Sequence, residues 1–181
     1  MTTPSADVSV RVAWSEDADA LAALQVRTWQ DQYADVLPAE AIPSDPTTTL
    51  EAWRQVLGRP QDARTRVLVA LEHNRVVGYA ITAPAADPDC DPVADGELMD
   101  LTVDPAERGR GHGSRLLQAA VDTMQADRFT RALLWAVASD DRLRRFLTDA
   151  GWAADQAHRE LDLDGEGTTT VKQVRLHTAI A

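Results

Sequence analysis

Glu97-Leu98-Met99-Asp100-Leu101-Thr102-Val103-Asp104-Pro105, followed at once by Arg108-Gly109-Arg110-Gly111-His112-Gly113, is the stretch that decides how this chain is read. The first half is an apolar, strand-like run. The second places three glycines at alternate positions, and a helix-like run from Ser114 to Gln125 comes next. Glycine lets a backbone turn tightly and leaves its N–H groups bare. A helix N-terminus adds free N–H donors and a partial positive charge. With two arginines in the same turn, the arrangement suits a bound phosphate.

Outward from that turn, the chain reads as one domain over residues 1–181, with strands and helices in the order β-α-α-β-β-β-α-β-α-β-β. Val8 to Trp14 alternates as a strand, and Ser15 is expected to cap a helix running to about Gln30. A second helix follows Asp45-Pro46 and stops at Gly58. Strands over Arg66–Leu71 and Arg75–Thr82 meet at a tight His73-Asn74 turn. Residues 84–95 hold three prolines and four aspartates and read as a mobile loop. After the glycine turn, a strand at Ala132–Val137 leads into a helix over Asp140–Asp149. Leu143, Phe146, Leu147 and Ala150 make its apolar stripe. Strands over Trp152–Leu163 and Thr169–Thr178 finish the chain. The pattern predicts an α/β (α+β) fold, a mixed and mostly antiparallel sheet of about seven strands with helices on both faces.

Composition narrows the partners. The net charge of −11 opposes general nucleic-acid binding. Residues 108–145 nevertheless carry eight arginines against four aspartates, a basic island in an acidic protein. One locally bound anionic ligand accounts for that contrast. No apolar run is long enough for a membrane span, and residues 1–7 carry neither a basic region nor an apolar stretch, so a cytoplasmic location is expected. Cys90 is the single cysteine, which leaves no internal disulfide. The four histidines are scattered, with no metal-ligand spacing. The turn lacks Gly-Lys-Ser/Thr, which argues against a P-loop, and lacks the G-x-G-x-x-G spacing of a dinucleotide fold.

The Glu97–Pro105 strand with the Arg108–Gly113 turn resembles the GNAT superfamily of N-acetyltransferases, whose coenzyme signature is Q/R-x-x-G-x-G/A. Asp140-Asp141-Arg142-Leu143-Arg144-Arg145-Phe146-Leu147, with Gly151-Trp152 beyond, is similar to the family's N-x-x-A-x-x-F-Y-x-x-x-G-F. Trp29 to Pro38 resembles the acceptor-side helix region of many members. The resemblance implies a GNAT-like sheet and acetyl-CoA as co-substrate. Backbone N–H groups of Gly109, Arg110, Gly111, His112 and Gly113, with Arg108 and Ser114 beside them, would hold the pyrophosphate. The edge of Leu101, Thr102 and Val103 would pair with the pantetheine arm in a splay between the strands ending near Val103 and Val137. Asp140 or nearby arginines would touch the coenzyme further out. His112 is expected to point to solvent or phosphate.

The implied function is transfer of an acetyl group to a primary amine by direct attack, without a metal. The acceptor is a small-molecule amine or a peptide or protein amine, expected to be cationic because Asp31, Asp35 and the 84–95 loop are acidic. A homodimer is left open. Acyl transfer needs a neutral amine, a polarised carbonyl and relief of charge on the thiolate. A strand N–H near Val103 is the expected carbonyl donor. Glu97 and Asp100 are the candidate bases, on opposite faces if side chains alternate. Leu147 departs from the family's tyrosine and cannot protonate a thiolate. Solvent or another residue such as Ser139 or Tyr33 would have to serve instead, or activity is weak, or the chain is a non-catalytic acetyl-CoA sensor.

Overall fold

The computed structural model describes residues 7–35 and 37–181. Residues 1–6, most of the stretch read above as lacking a basic region and an apolar run, and Val36 in the 29–38 segment lie outside them. Seven strands form one sheet: β1 (Val8–Val12), β2 (Arg66–Glu72), β3 (Arg75–Pro84), β4 (Asp95–Val103), β5 (Arg131–Val137), β6 (Ala153–Asp162) and β7 (Thr170–Ala179). Their order across the sheet is β1-β2-β3-β4-β5-β7-β6. Every pairing is antiparallel except β4 with β5. Four helices cover it: α1 (Ala18–Tyr33), α2 (Thr47–Gly58), α3 (His112–Ala126) and α4 (Asp141–Asp149). No helix among the described residues is long and apolar enough to cross a membrane.

Periodicity explains the layers. On one face, α3 presents Leu116, Leu117, Ala120 and Met124, and α4 presents Leu147, to Leu98, Leu134, Ala136 and Leu176 of the sheet. On the other, Leu21 and Leu24 of α1 and Trp53 of α2 meet Val69 and Tyr79. Trp53 stacks edge-on against Tyr79 at 5.0 Å and donates its indole N–H to Gln25 at 2.8 Å, so it is a core residue. Ala150, placed on the α4 stripe by spacing, is exposed because α4 ends one residue earlier.

His73 and Asn74 sit at φ of 48° and 65°, the left-handed pair that a two-residue hairpin turn requires. Ser15 makes no side-chain cap bond and instead opens a short 3₁₀ turn. Asp17 does the fastening, accepting the Trp14 N–H at 2.7 Å and pairing with Arg11.

Two irregularities position the site. In β4, Asp100 pairs with Ile81 but Leu98 pairs with Thr82, so Met99 is an extra, exposed residue in a bulge. Further along the molecule, β4 and β5 pair only at Asp95–Arg131, Gly96–Ala132 and Glu97–Leu133. Beyond Glu97 the two strands part.

Candidate active site

The parting of β4 and β5 creates a cleft with Glu97 at its root. β4 continues through Leu101, Thr102 and Val103, whose other edge is already paired with Ala80, Tyr79 and Gly78 of β3. Their edge toward β5 has no strand partner. An unpaired edge of this kind takes an extended, amide-bearing ligand by strand addition.

Past Val103, β4 leads within a few residues into the glycine turn. Gly109 and Gly111 have φ of +77° and +83°, which only glycine adopts without strain. Gly111 is the N-cap of α3, so the helix opens at His112 rather than at the expected Ser114. The first amides of α3, from His112, Gly113 and Ser114, therefore lack carbonyl partners within the helix. A Cβ on Gly109 would meet nothing within 4 Å, so the turn is open on that side. Backbone donors, dipole and open space fit a pyrophosphate.

The side chains around the turn differ from the sequence reading. His112 is not directed to solvent. It is 2% exposed, with its Nε2 3.5 Å from Glu72. It sits on the first turn of α3 where that helix meets the end of β2, so only its amide remains available to a ligand. Arg108 pairs with Asp31 at 2.7 Å and Arg110 with Glu107 at 2.7 Å. Asp140 caps α4, its carboxylate accepting the Leu143 N–H at 3.0 Å. Glu72, Glu107 and His112 converge closely enough to suit a metal ion, but Arg75 and Arg110 already neutralise Glu107.

The bulge overturns the expectation that Glu97 and Asp100 face opposite ways. With Met99 inserted, Leu98, Leu101 and Val103 all turn to the α3 side. Glu97 and Asp100 therefore share the opposite face. Their surroundings are different. Asp100 accepts hydrogen bonds from the Tyr79 hydroxyl at 3.0 Å and the Thr102 hydroxyl at 2.7 Å. Burial pushes its carboxyl above the ordinary range, and those bonds oppose the rise. Glu97 is half-buried, and burial, then the charge of Asp87, raises its carboxyl. Arg159 and Arg175 pull it the other way.

Leu147 is 0% exposed and locked in the α3–α4 core. Of the chain's two tyrosines, Tyr79 lies in the core beneath α1 and α2, and Tyr33 is buried at the end of α1. Tyr79 is engaged by Asp100, whereas Tyr33 closes α1 and stacks on Trp29 at 5.1 Å. Burial, then the charges of Asp100 and Asp140, keep the Tyr33 phenol protonated to higher pH than usual. Tyr33 is thus a buried phenol at the C-terminal end of α1 whose proton affinity responds to Asp100 and Asp140.

The acetyltransferase (GNAT) family model matches residues 20–152, a span that contains the cleft, the bulge and the glycine turn. The chain belongs to the GNAT acetyltransferase family. Solved GNAT structures share its fold across almost its whole length. The PaiA N-acetyltransferase of Thermoplasma acidophilum, solved with coenzyme A, superposes with a TM-score of 0.72 at 17% identity, covering 95% of this chain and 98% of its own. The ribosomal-protein-alanine N-acetyltransferase of Brucella melitensis gives 0.74 at 20%, covering 94% and 99%. YncA of Salmonella typhimurium, with acetyl-CoA, gives 0.70 at 18%, covering 97% and 95%. A search of the curated proteins found no match.

Sequence reasoning overlooked one group on the Glu97 face of this GNAT chain. Arg175, 5% exposed on β7, gathers Asp87, Asp89 and Asp155 on the face that carries Glu97. The only local signal was an arginine placed between Val174 and Leu176, both turned to the apolar core, so that Arg175 itself had to face the other way.

Proposed function

We propose that this protein transfers an acetyl group from acetyl-CoA to the primary amine of a cationic acceptor, by direct attack and with Glu97 as general base. The observation that carries this reading is the cleft itself. An unpaired β4 edge leads from Glu97 to a glycine turn of bare amides, a path suited to a long, amide-bearing thioester ending in a pyrophosphate. The coenzyme, when bound, supplies the activated acetyl group.

The remaining work falls to the chain. Leu101, Thr102 and Val103 hold the arm by strand pairing, and an N–H near Val103 polarises the carbonyl. Arg108, Arg110 and Ser114 support the phosphates beside the Gly109–Gly113 amides, with Asp31 and Glu107 giving up their arginines. Glu97 takes a proton from the incoming ammonium. Burial and then Asp87 raise its proton affinity, which makes it a better proton acceptor than an ordinary carboxylate. Asp100, held by two hydroxyls, serves better as an electrostatic anchor for the acceptor cation. With Leu147 in the core and Tyr79 engaged by Asp100, Tyr33 is the phenol left to protonate the departing thiolate. Asp140 acts through its cap on α4. The same reading puts the protein in the cytoplasm.

The test is a panel of amines assayed for release of free CoA, spanning diamines, aminoglycosides, lysine side chains and peptide N-termini. Peptides belong in it because the Brucella neighbour's name specifies a ribosomal-protein alanine. Activity on cationic amines supports the proposal, and activity confined to neutral or anionic amines sinks it. Leu147 favours one second reading, a coenzyme sensor without turnover. Calorimetric titration of acetyl-CoA separates the two, since tight binding with no transfer to any amine selects the sensor.

A further inference from the structure

Arg175, buried on β7, divides its guanidinium among three carboxylates. Its Nη1 and Nη2 donate to the two carboxylate oxygens of Asp89 at 2.8 and 2.6 Å. Its Nε donates to Asp155 of β6 at 2.7 Å, and its Nη1 also lies 3.4 Å from Asp87. Asp87 and Asp89 belong to the loop between β3 and β4, the segment rich in proline and aspartate. One guanidinium from β7 thus fastens that loop across the face of the sheet left bare by α1 and α2.

The fastening places particular groups. Asp87 accepts the Trp135 indole N–H at 2.8 Å. Trp135 lies two residues along β5 from Leu133, the pairing partner of Glu97, and on the same face. Arg159 of β6 stacks on the Trp135 ring at 4.3 Å and reaches Asp87 at 3.6 Å. Planar stacking and forked bonding of this kind are arginine's particular chemistry. The loop backbone at Ala86 and the charge of Asp87 both act on the Glu97 carboxyl. Asp87 of the loop, Trp135 of β5, Arg159 of β6 and Arg175 of β7 thus gather on the face that carries Glu97, and the charges of Asp87, Arg159 and Arg175 act on its carboxyl.

We propose that Arg175 is a positioning residue that locks the 85–94 loop as the acceptor-side wall of the active site, holding Asp87 beside Glu97. The proposal rests on Glu97 as the base. Asp87 then has two effects. It opposes loss of the proton from Glu97, so the base holds its proton more firmly, and it adds a second negative charge for a cationic amine to approach. Asp87 touches no reacting atom.

The experiment compares D87N, D89A and E97Q in the full chain, with the acetyl-CoA dissociation constant measured alongside kcat and the amine KM. The side-chain amide of D87N still accepts the Trp135 hydrogen bond through its carbonyl oxygen but carries no charge. D87N is expected to move the acidic limb of the kcat/KM profile about half a pH unit downward, because a like charge near Glu97 is gone. D89A loosens the latch at an exposed loop residue without opening the core, so it avoids the folding risk of removing Arg175. It is expected to raise the amine KM severalfold while coenzyme affinity holds. A merely structural latch would lower folding stability but leave the acidic limb and the amine KM where they were, and that result overturns the proposal. E97Q keeps the two failures apart. If E97Q abolishes the acidic limb while D87N and D89A change nothing, the base stands and the latch falls. If E97Q retains the limb, the base assignment falls and takes the proposed effect of Asp87 with it.

Discussion

Glu97 pays for its role in stability. A carboxyl whose proton affinity rises on folding is easiest to bury when neutral. Its folded form therefore costs stability once pH exceeds the unfolded value, and the cost is complete above the raised folded value. E97Q should remove that cost. At pH 7–8 it is expected to melt no lower than the parent, while kcat falls by about 10²-fold or more, the usual weight of a general base. A combined thermal melt and CoA-release assay checks both. Y33F should slow turnover by about tenfold or more with coenzyme affinity unchanged if the phenol donates the last proton. Equal rates for Y33F and parent would pass that role to solvent. Leu147 belongs to packing, and Leu147→Ala is expected to cost about 2–5 kcal/mol of unfolding free energy in a denaturant melt.

At the scale of elements, the strand–turn–helix unit carries the coenzyme reading. Gly111 is both the cap of α3 and left-handed, at φ +83°, and a Cβ there would also stand 3.3 Å from the Arg115 guanidinium. Gly111→Trp should therefore weaken acetyl-CoA binding by at least about tenfold, since a left-handed bulky residue alone costs about 1–2 kcal/mol. Isothermal calorimetry reads that directly, and unchanged binding would remove the coenzyme from this turn. Asp140→Ala loses the α4 cap and should cost about 0.5–2 kcal/mol in stability. These elements were legible in the chain because their signals are short-range. Glycine spacing, a 3.6-residue stripe and a His73-Asn74 turn each act within a few residues. The bulge at Met99 was not legible, because the misregister exists only between β4 and the facing β3.

For the molecule as a whole, acid stability follows from its ion pairs. Folding lowers the proton affinity of Asp17 and Asp104, where bonds from Arg11 and Arg27 overcome the cost of burial. It lowers that of Glu107 through Arg75 and holds Asp89 at about 2 through Arg175. Groups with depressed values stabilise the fold above their unfolded values and lose that contribution as pH falls through the folded ones. The melting temperature should therefore drop steeply below about pH 4, the unfolded carboxylate range. A melting temperature flat to about pH 2 would contradict these pairings.

What the sequence determined by itself is the order of elements, the open glycine turn before α3, and the burial of Leu147. All three rest on local backbone preference and on one apolar face repeating along a helix. Only the tertiary structure decided the rest. It turned Asp100 to the side of Glu97 through a bulge, buried His112 against Glu72 from a distant strand, committed Asp140 to a cap, and brought Arg175 across the sheet to Asp87 and Asp89. Each of these depends on strand register or on partners far apart in the chain. A charged or bulged residue has no periodicity of its own, so its role appears only when the strands are laid side by side.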